Sequence, residues 1–483
     1  MRKSDGLKEK FLNKEVPEME ENRAEALRNE LFMKNEHASK KISAEETAAA
    51  DNFCEGYKDF LDAAKTEREA VKVTIELAKA NGFIEFKADR KYAAGEKVYL
   101  NNRGKSVILA VIGSRDLEDG VKIAAAHIDS PRLDLKPNPL YEEADTALFK
   151  THYYGGIKKY QWTAIPLSLH GVVIKKNGET VEINVGEDEN DPCFVISDLL
   201  PHLASNQMKS TMSEGIKGEG LNVLVGSRPF DNTDAAQNVK LNVLSILFEK
   251  YGIKEEDFLS AELEIVPAFK ARDIGFDRSL IGAYGHDDRV CAYPALMAAL
   301  DTDTPEYTVL SVLTDKEETG SDGNTGLNSS YLKFFIYALA DCQGAKGYKV
   351  LSNSKCLSAD VNAAYDTNFP EVFEKNNTAF VNRGVVITKY TGARGKSGTS
   401  DASAEFMAEI RELLDRKNVC WQTGELGKVD EGGGGTVAKY VASLNMDVVD
   451  IGVAVISMHA PYETVSKIDV YMTYRACYEF FND

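Results

Sequence analysis

The chain has 483 residues, of which 43% are hydrophobic and 28% are charged, and this composition excludes a disordered or fibrous protein. Lysine and arginine number 57 against 76 aspartate and glutamate residues, so the formal net charge is −19. Because so acidic a surface repels phosphate backbones and anionic lipids, we expect neither a nucleic acid nor a membrane as partner.

Cysteine usage and the N-terminal segment predict the compartment. The seven cysteines are odd in number and include no Cys-x-x-Cys pair, so we expect neither a disulfide framework nor a thiolate zinc site. The start, MRKSDGLKEKFLNKE, lacks the apolar stretch of a signal peptide, and no window holds about 18 consecutive apolar residues. These features predict a reduced, soluble, cytoplasmic protein.

The length predicts two or three domains, and residues 1 to about 90 are predicted to be helical. Phe53, Tyr57 and Phe60 recur at steps of three and four residues, which is typical of an amphipathic helix. Ser43 is the expected N-cap of this helix, with Glu46 completing a capping box. Gly82 is expected to end the second helix.

From about Lys97 onward, short β-rich runs replace the helical pattern, beginning with KVYLNN, SVILAVIG and VKIAAAHIDS. Residues 135–232 contain alternating strands, among them HGVVIKKNGETVEINV, whose Asn-Gly step predicts a hairpin. We interpret 135–232 as an inserted all-β, barrel-like domain. It would divide the rest of the chain into two segments of one domain, 1–134 with the N-terminal helices and 233–483.

The second segment alternates helices with strands. LNVLSILFEKYG predicts a helix that ends at Gly252, and the predicted strands include LSAELEIVPA, YTVLSVLTD, CLSADVNAA, VVITKY and VAVISMHA. Such alternation is typical of an α/β fold. We expect three layers around a mostly parallel sheet.

Histidine and acidic side chains directly follow several of these apolar runs. In an open α/β sheet, residues just past the carboxyl ends of the strands converge on one crevice. Imidazole and carboxylate donors suit Zn²⁺, with Mn²⁺ or Co²⁺ as alternatives, so the pattern predicts a pair of divalent cations. The residues concerned are His127, Asp287, Asp288, Glu317, Glu318, Asp360 and His459.

The order His-x-Asp, Asp-Asp-Arg, Glu-Glu, Ser-Ala-Asp and Ser-Met-His resembles the co-catalytic di-zinc metallo-aminopeptidases, most closely the bacterial branch of the aspartyl aminopeptidase family. The resemblance covers roughly residues 45 to 475. Its matching stretches are 126–131, 317–321, 358–360 and 457–459, with further similarity at Tyr154-Gly155-Gly156, Pro201-His202-Leu203-Ala204 and Gly432 to Thr436.

The resemblance implies a metallo-aminopeptidase with assigned roles. His127 and His459 would each bind one metal, Asp287 would bridge both ions, and Glu318 and Asp360 would complete the ligands. Glu317 would be the general base, and Asp129 would lie behind His127 and fix its ring. One metal would hold the free α-amine of a peptide substrate, so the enzyme would release N-terminal residues.

The resemblance also implies a homo-oligomer, commonly a tetrahedral dodecamer, in which the inserted domain mediates contacts. The histidine of the Pro-His-Leu-Ala segment, His202 here, would reach a neighbouring subunit's active site and bind substrate. A surface or core role for His202 is an equal alternative.

The sequence departs from the family pattern around the substrate side-chain pocket. No histidine follows Asp360 closely, and Thr388 stands where a lysine normally ends the Val-Ile-Lys step. We therefore predict a neutral or broader preference in place of acidic N-terminal residues. Two alternatives to an aminopeptidase remain: a related two-metal amidohydrolase or deacylase, and a non-catalytic scaffold descended from the same family.

Overall fold

The computed structural model describes residues 23–232 and 236–483, so the predicted helical residues 1–22 lie outside it. Within these ranges the helices are 23–31, Ala44–Ala63, Glu67–Ala80, Met212–Gly215, Asn238–Tyr251, His286–Asp301, Tyr331–Gln343, Gly347–Asn353, Ala404–Arg416, Ala438–Ala442 and Lys467–Asn482. The strands are β1 (Ile84–Glu85), β2 (Lys97–Asn102), β3 (Ser106–Val111), β4 (Val121–His127), β5 (Arg132–Glu143), β6 (Thr146–Tyr154), β7 (Leu167–Ile174), β8 (Thr180–Val185), β9 (Val223–Gly226), β10 (Ala261–Pro267), β11 (Arg272–Ile274), β12 (Leu280–Ala283), β13 (Thr308–Thr314), β14 (Lys355–Ala359), β15 (Asn362–Ala363), β16 (Val385–Thr388), β17 (Trp421–Thr423), β18 (Asp447–Gly452), β19 (Ala454–Ile456) and β20 (Glu463–Ser466).

The helices Ala44–Ala63 and Glu67–Ala80 correspond to the two helices that the sequence predicts after Ser43. Tyr57 and Phe60 are buried, and the second helix is followed by Gly82 at φ +83. The Ser43 hydroxyl accepts the backbone N–H of Glu46 as predicted. The other half of the predicted capping box is wrong, because the Glu46 carboxylate instead accepts a 2.7 Å bond from Arg475 of the C-terminal helix.

In the described chain the strands form three sheets, and the largest has the order β1-β2-β3-β13-β4-β14-β18-β16-β17. Its centre, β13-β4-β14-β18, is parallel, whereas β3 and β16 pair antiparallel with its two sides. The predicted α/β class is therefore confirmed, with a mixed sheet that is parallel at its centre.

Alternate residues of β4 enter two different cores. Ala124 and Ala126 pack with the helices near both chain ends, whereas Ile123 and Ala125 pack with the helices Tyr331–Gln343 and Ala438–Ala442. Because side chains of a strand alternate between faces, the sheet lies between two helical layers.

A second sheet has the order β8-β7-β10-β5-β6-β9. The predicted hairpin is confirmed, since β7 and β8 pair antiparallel from Leu169↔Val185 to Ile174↔Thr180. LSAELEIVPA forms a strand, β10, as predicted, but its sheet differs from the prediction: β10 pairs with β7 and β5 and not with a strand of the large sheet. An apolar strand pattern specifies burial but not a partner, so the sheet runs from Arg132 to Pro267, past the predicted boundary at residue 232.

The third sheet, β11-β12-β20-β19-β15, adjoins the end of the parallel centre. Strand β14 is followed two residues later by β15, and β18 by β19 after Val453, so both strands pass from the large sheet into this one. VAVISMHA therefore supplies β19 of the third sheet and not a strand of the large sheet, contrary to the prediction. The polar residues of interest lie at this junction.

No helix within the described residues is both long enough and apolar enough to span a bilayer.

Candidate metal centre

The predicted ligands come from five elements that end at the junction between the large and third sheets. His127 is the last residue of β4, Asp360 follows β14, Asp287 lies in the first turn of His286–Asp301, Glu317 and Glu318 form a short turn after β13, and His459 lies between β19 and β20. Strands β4, β13 and β14 are buried in the core, so the polar side chains at their ends are attached to rigid elements.

Asp287 stands between the two histidines. Its Oδ1 lies 3.1 Å from Nε2 of His127, and its Oδ2 lies 3.2 Å from Nε2 of His459. The peptide bond between Asp287 and Asp288 is cis. One carboxylate thus faces both imidazole rings.

Each histidine ring is fixed through its other nitrogen. Nδ1 of His127 lies 3.0 Å from the carbonyl of Asp129 and 3.3 Å from its Oδ1, and Nδ1 of His459 lies 2.8 Å from the carbonyl of Gly156. Both Nδ1 atoms therefore donate, and in a neutral ring this leaves the Nε2 lone pair directed at Asp287.

This arrangement fits bound cations. A metal cation between the Nε2 atom of a neutral imidazole and a carboxylate oxygen would make each of these 3.1–3.2 Å approaches favourable. Asp360 Oδ1 lies 3.8 Å from Nε2 of His127, and Glu318 Oε1 lies 3.7 Å from Nε2 of His459. Oε1 of Glu318 is buried and has no hydrogen-bond partner among the described residues.

Two groups of three side chains in the described chain can hold a metal ion, and they share one member. The groups are His127, Asp287 and Asp360, and Asp287, Glu318 and His459; in each, the ligand atoms lie within 4.8 Å of one another. Tetrahedral zinc ligands are about 3.4 Å apart, and imidazole with carboxylate is an ordinary zinc ligand set.

The ionisation of the cluster shows the cost of burying these charges. Burial raises the pKa of Glu318 and of Asp360 well above the usual carboxyl range. Burial opposes protonation of His127, but hydrogen bonds with Asp129 and Asp287 outweigh it and raise the imidazole pKa. Among the described residues, Asp287, Glu318 and Asp360 form ion pairs only with the two histidines and with no lysine or arginine, so bound cations would offset the cost of burying these carboxylates.

Glu317 is oriented differently from Glu318. Its side chain is 18% exposed against 4% for Glu318, and its Oε2 lies 4.0 Å from Nε2 of His127. Burial raises the pKa of Glu317 to about 7, with His127 opposing the shift. Glu317 is thus a largely buried but partly exposed carboxylate beside the two candidate metal-binding groups.

Asp129 supports both the ligands and the Glu317–Glu318 turn. Besides the His127 ring, it accepts the backbone N–H of Glu317 at 3.1 Å and that of Glu318 at 3.2 Å. The predicted support of His127 is therefore present in the geometry, together with a second task that the spacing does not indicate.

Glu463, at the start of β20, is a site residue that sequence reasoning missed. Its two oxygens accept the backbone N–H of Asp287 at 3.0 Å and that of His459 at 2.7 Å. Burial raises the pKa of Glu463 to about 8. No sequence motif identifies Glu463 as a site residue, since a single acidic residue at the start of a short strand is common.

A cavity of about 1030 Å³ opens on this centre. Asp287, Glu317, Glu318, Asp360 and His459 line it on one side. Its other walls include the glycine run Gly433 to Gly435 and an apolar group formed by Val361, Phe369, Val372, Phe373 and Leu426.

His202 does not join the centre of its own chain. It is exposed within an irregular segment of the region 197–211 and does not line the cavity. Its predicted role in a neighbouring subunit stays a prediction.

A family model and a curated relative both match this chain, and they name the same family. Residues 60–481 match the family model "Aminopeptidase I zinc metalloprotease (M18)". The "Probable M18 family aminopeptidase 1" of Clostridium acetobutylicum is 49% identical over 466 residues, covering 94% of this chain and 100% of that protein.

Solved structures agree with this match. The crystal structure of an M18 family aminopeptidase from Thermotoga maritima has a TM-score of 0.90 at 45% identity, covering 93% of this chain and 100% of that one. The S. cerevisiae mApe1 dodecamer has a TM-score of 0.71 at 22% identity, covering 90% of this chain and 96% of that one, and shows a shared fold. From the family match and the identity to full-length relatives, the chain belongs to the M18 family of zinc metalloproteases and is an aminopeptidase.

Proposed function

We propose that the centre binds two divalent ions, most favourably Zn²⁺, with Mn²⁺ or Co²⁺ as substitutes. His127 and Asp360 would hold one ion, Glu318 and His459 would hold the other, and Asp287 would bridge them. The observation that carries this proposal is the shared carboxylate: each oxygen of Asp287 faces Nε2 of a different histidine at 3.1 and 3.2 Å.

Two such ions supply Lewis-acid polarisation of the scissile carbonyl and acidification of water. Glu317 is the general base. Its carboxylate lines the cavity, and its Oε2 lies 4.0 Å from Nε2 of His127. This carboxylate accepts the proton of the attacking water. The protonated Glu317 carboxyl then donates that proton to the nitrogen of the leaving amine.

Asp129 keeps this base in place. It holds the backbone of Glu317 and the ring of His127 simultaneously, so the distance between base and ligand is set by one buried carboxylate. Such preorganisation matters because a general base acts only within hydrogen-bond reach of the proton it removes.

The buried polar lining of the cavity favours a neutral N-terminal side chain. Asn362 donates a 3.1 Å hydrogen bond to Thr388, and both are buried, whereas the lining lysines Lys158 and Lys439 are exposed. An acidic side chain entering beside Asp360 and this neutral pair would lose hydration without gaining a cation. We therefore propose a preference for uncharged N-terminal residues.

We further propose a homo-oligomer in which the predicted insertion 135–232 forms contacts and His202 reaches a neighbouring active site. The exposed position of His202 and the dodecamer of the yeast relative support this proposal.

The test is a zinc titration of the chelator-treated protein with peptides that begin with leucine, aspartate or N-acetyl-leucine. We expect activity to plateau at two zinc ions per chain, measured by elemental mass spectrometry. The leucine peptide should be cleaved fastest and the acetylated peptide should resist. A plateau at one ion would overturn the shared-carboxylate proposal.

The same assay separates the alternatives. Equal cleavage of free and acetylated peptides would favour an amidohydrolase. Binding of no more than trace metal, with no hydrolysis after zinc addition, would favour a scaffold.

A further inference from the structure

Tyr154, the last residue of β6, contacts the catalytic machinery from the six-stranded sheet. Its hydroxyl donates a 2.8 Å hydrogen bond to Oδ2 of Asp129. The same oxygen accepts the backbone N–H of Glu318, while Oδ1 faces His127 and the N–H of Glu317. Tyr154 is thus a side-chain donor to the carboxylate on which both a ligand and the base depend.

The tyrosine ring is itself held from the same sheet. Arg132 and Tyr154 are directly paired residues of β5 and β6, and the Arg132 guanidinium lies 4.0 Å from the ring centroid. Arg132 is buried and forms ion pairs with Glu264 at 3.2 Å and Glu67 at 3.4 Å. The hydroxyl position is therefore determined by a packed, charge-paired support.

The two residues after Tyr154 contact the other metal group. A Cβ at Gly155 would lie 3.0 Å from Oε2 of Glu318, so the backbone packs closely against that carboxylate. The carbonyl of Gly156 accepts the Nδ1–H of His459 at 2.8 Å. One segment thus contacts groups that belong to both proposed ion sites.

We propose that Tyr154 is a positioning residue of the peptidase reaction, acting through Asp129 on the Glu317–Glu318 turn and on His127. The proposal rests on the function proposed above. It assigns to the six-stranded sheet a direct part in the geometry of catalysis.

The test is Tyr154→Phe, which removes only the hydroxyl, with Tyr153→Phe as the matched control. Tyr153 is the adjacent residue of β6 and is 43% exposed. We expect Tyr154→Phe to lower kcat about 10- to 100-fold with KM nearly unchanged, the effect typical of removing a supporting hydrogen bond at a metal site. Tyr153→Phe should keep wild-type kcat.

Zinc content and the unfolding temperature are measured for each variant, and rates are expressed per zinc-loaded chain. A structural role alone would lower the unfolding temperature without lowering this normalised kcat. Wild-type kcat in zinc-loaded Tyr154→Phe would overturn the proposal, and this variant decides that point by itself.

A double-mutant cycle tests whether Tyr154 acts through Asp129. If it does, Tyr154→Phe combined with Asp129→Asn should be no slower than Asp129→Asn alone, because the hydroxyl then has no carboxylate to position. Multiplying effects would exclude this route. Failure of the wild-type protein to cleave any free-amine peptide with two zinc ions bound would instead reject the proposed function.

Discussion

Glu317 and Glu318 are adjacent in the chain but face different surroundings. Both backbone N–H groups are held by Asp129, yet the Glu318 side chain lies 3.7 Å from His459, while the Glu317 side chain is more open to the cavity. This contrast allows the roles of base and ligand to be separated by the same substitution at neighbouring positions.

We expect Glu317→Gln to lower kcat by about 10²- to 10⁴-fold while two zinc ions stay bound, because the variant loses a proton acceptor but no ligand. Glu318→Gln should lose zinc affinity as well as activity. Steady-state kinetics and elemental analysis of both variants check this. Normal turnover in zinc-loaded Glu317→Gln would show that another group is the base.

Glu463 fixes the backbone of two proposed zinc ligands, Asp287 and His459, through hydrogen bonds to their N–H groups. In Glu463→Gln, one of the N–H groups of Asp287 and His459 would face an amide NH₂ in place of an oxygen. We expect zinc affinity to fall about tenfold or more, measured by competition with a chromophoric chelator. The control is Glu409→Gln, which alters an exposed carboxylate that pairs with Lys355 and should leave zinc affinity unchanged. Wild-type zinc affinity in Glu463→Gln would show that these two hydrogen bonds do not support the site.

At the scale of elements, a buried polar network joins the helix Glu67–Ala80 to the six-stranded sheet. Nδ1 of His170 lies 2.7 Å from Glu69, and its Nε2 lies 3.1 Å from Glu187, which also pairs with Lys65 at 2.8 Å. Burial opposes protonation of His170, but hydrogen bonds with Glu187 and Glu69 outweigh it and raise its pKa.

A raised pKa in the folded state means that His170 stabilises the fold below its unfolded pKa of about 6.5, and that this stabilisation is lost as pH rises through the folded value. We expect the destabilisation caused by His170→Gln to be largest below about pH 6.5 and to shrink as pH rises through the raised pKa of the folded state. Thermal unfolding across this range checks the trend, with the exposed His37→Gln as control. A pH-independent difference would contradict it.

The strand-end residues were predictable because polar side chains directly after apolar runs are visible in the sequence. His127 ends a buried strand, and Glu317, Glu318 and Asp360 follow buried strands. The parallel centre of the sheet brings all four residues to one edge. The sheet membership of β10 and β19 was not predictable, because alternation indicates burial without a partner.

The residues that support the ligands through hydrogen bonds are even harder to predict from the sequence. Tyr154 and Glu463 act through hydrogen bonds to residues far away in the chain, and no local spacing encodes such pairs. Helix ends were predicted well, since Gly82 and Gly252 carry a local conformational signal in their positive φ angles.

At the scale of the whole molecule, the proposed ions connect two sheets. His127 ends β4 and Asp360 directly follows β14 of the large sheet, whereas His459 lies in the turn between β19 and β20 of the third sheet. Zinc removal therefore leaves mutually repelling carboxylates between elements that the ions would join.

We expect zinc to stabilise the fold by about 4 kcal/mol when it is present at 1,000 times its Kd, seen as a higher unfolding temperature than in a chelator. Asp287→Asn, which alters the shared carboxylate, should abolish most of this zinc-dependent rise. An equal rise in that variant would place the stabilising ions elsewhere.

Strand β13 lies between β3 and β4, although the ribosome makes it only after the entire six-stranded sheet. Until Thr308–Thr314 emerges, β3 has one unpaired edge and β4 lacks both neighbours, since β14 is made later still. Bare edges of apolar strands invite pairing with other chains. We therefore expect the nascent catalytic half to depend on protection from aggregation during translation, while the contiguous segment from Arg132 to Pro267 collapses first.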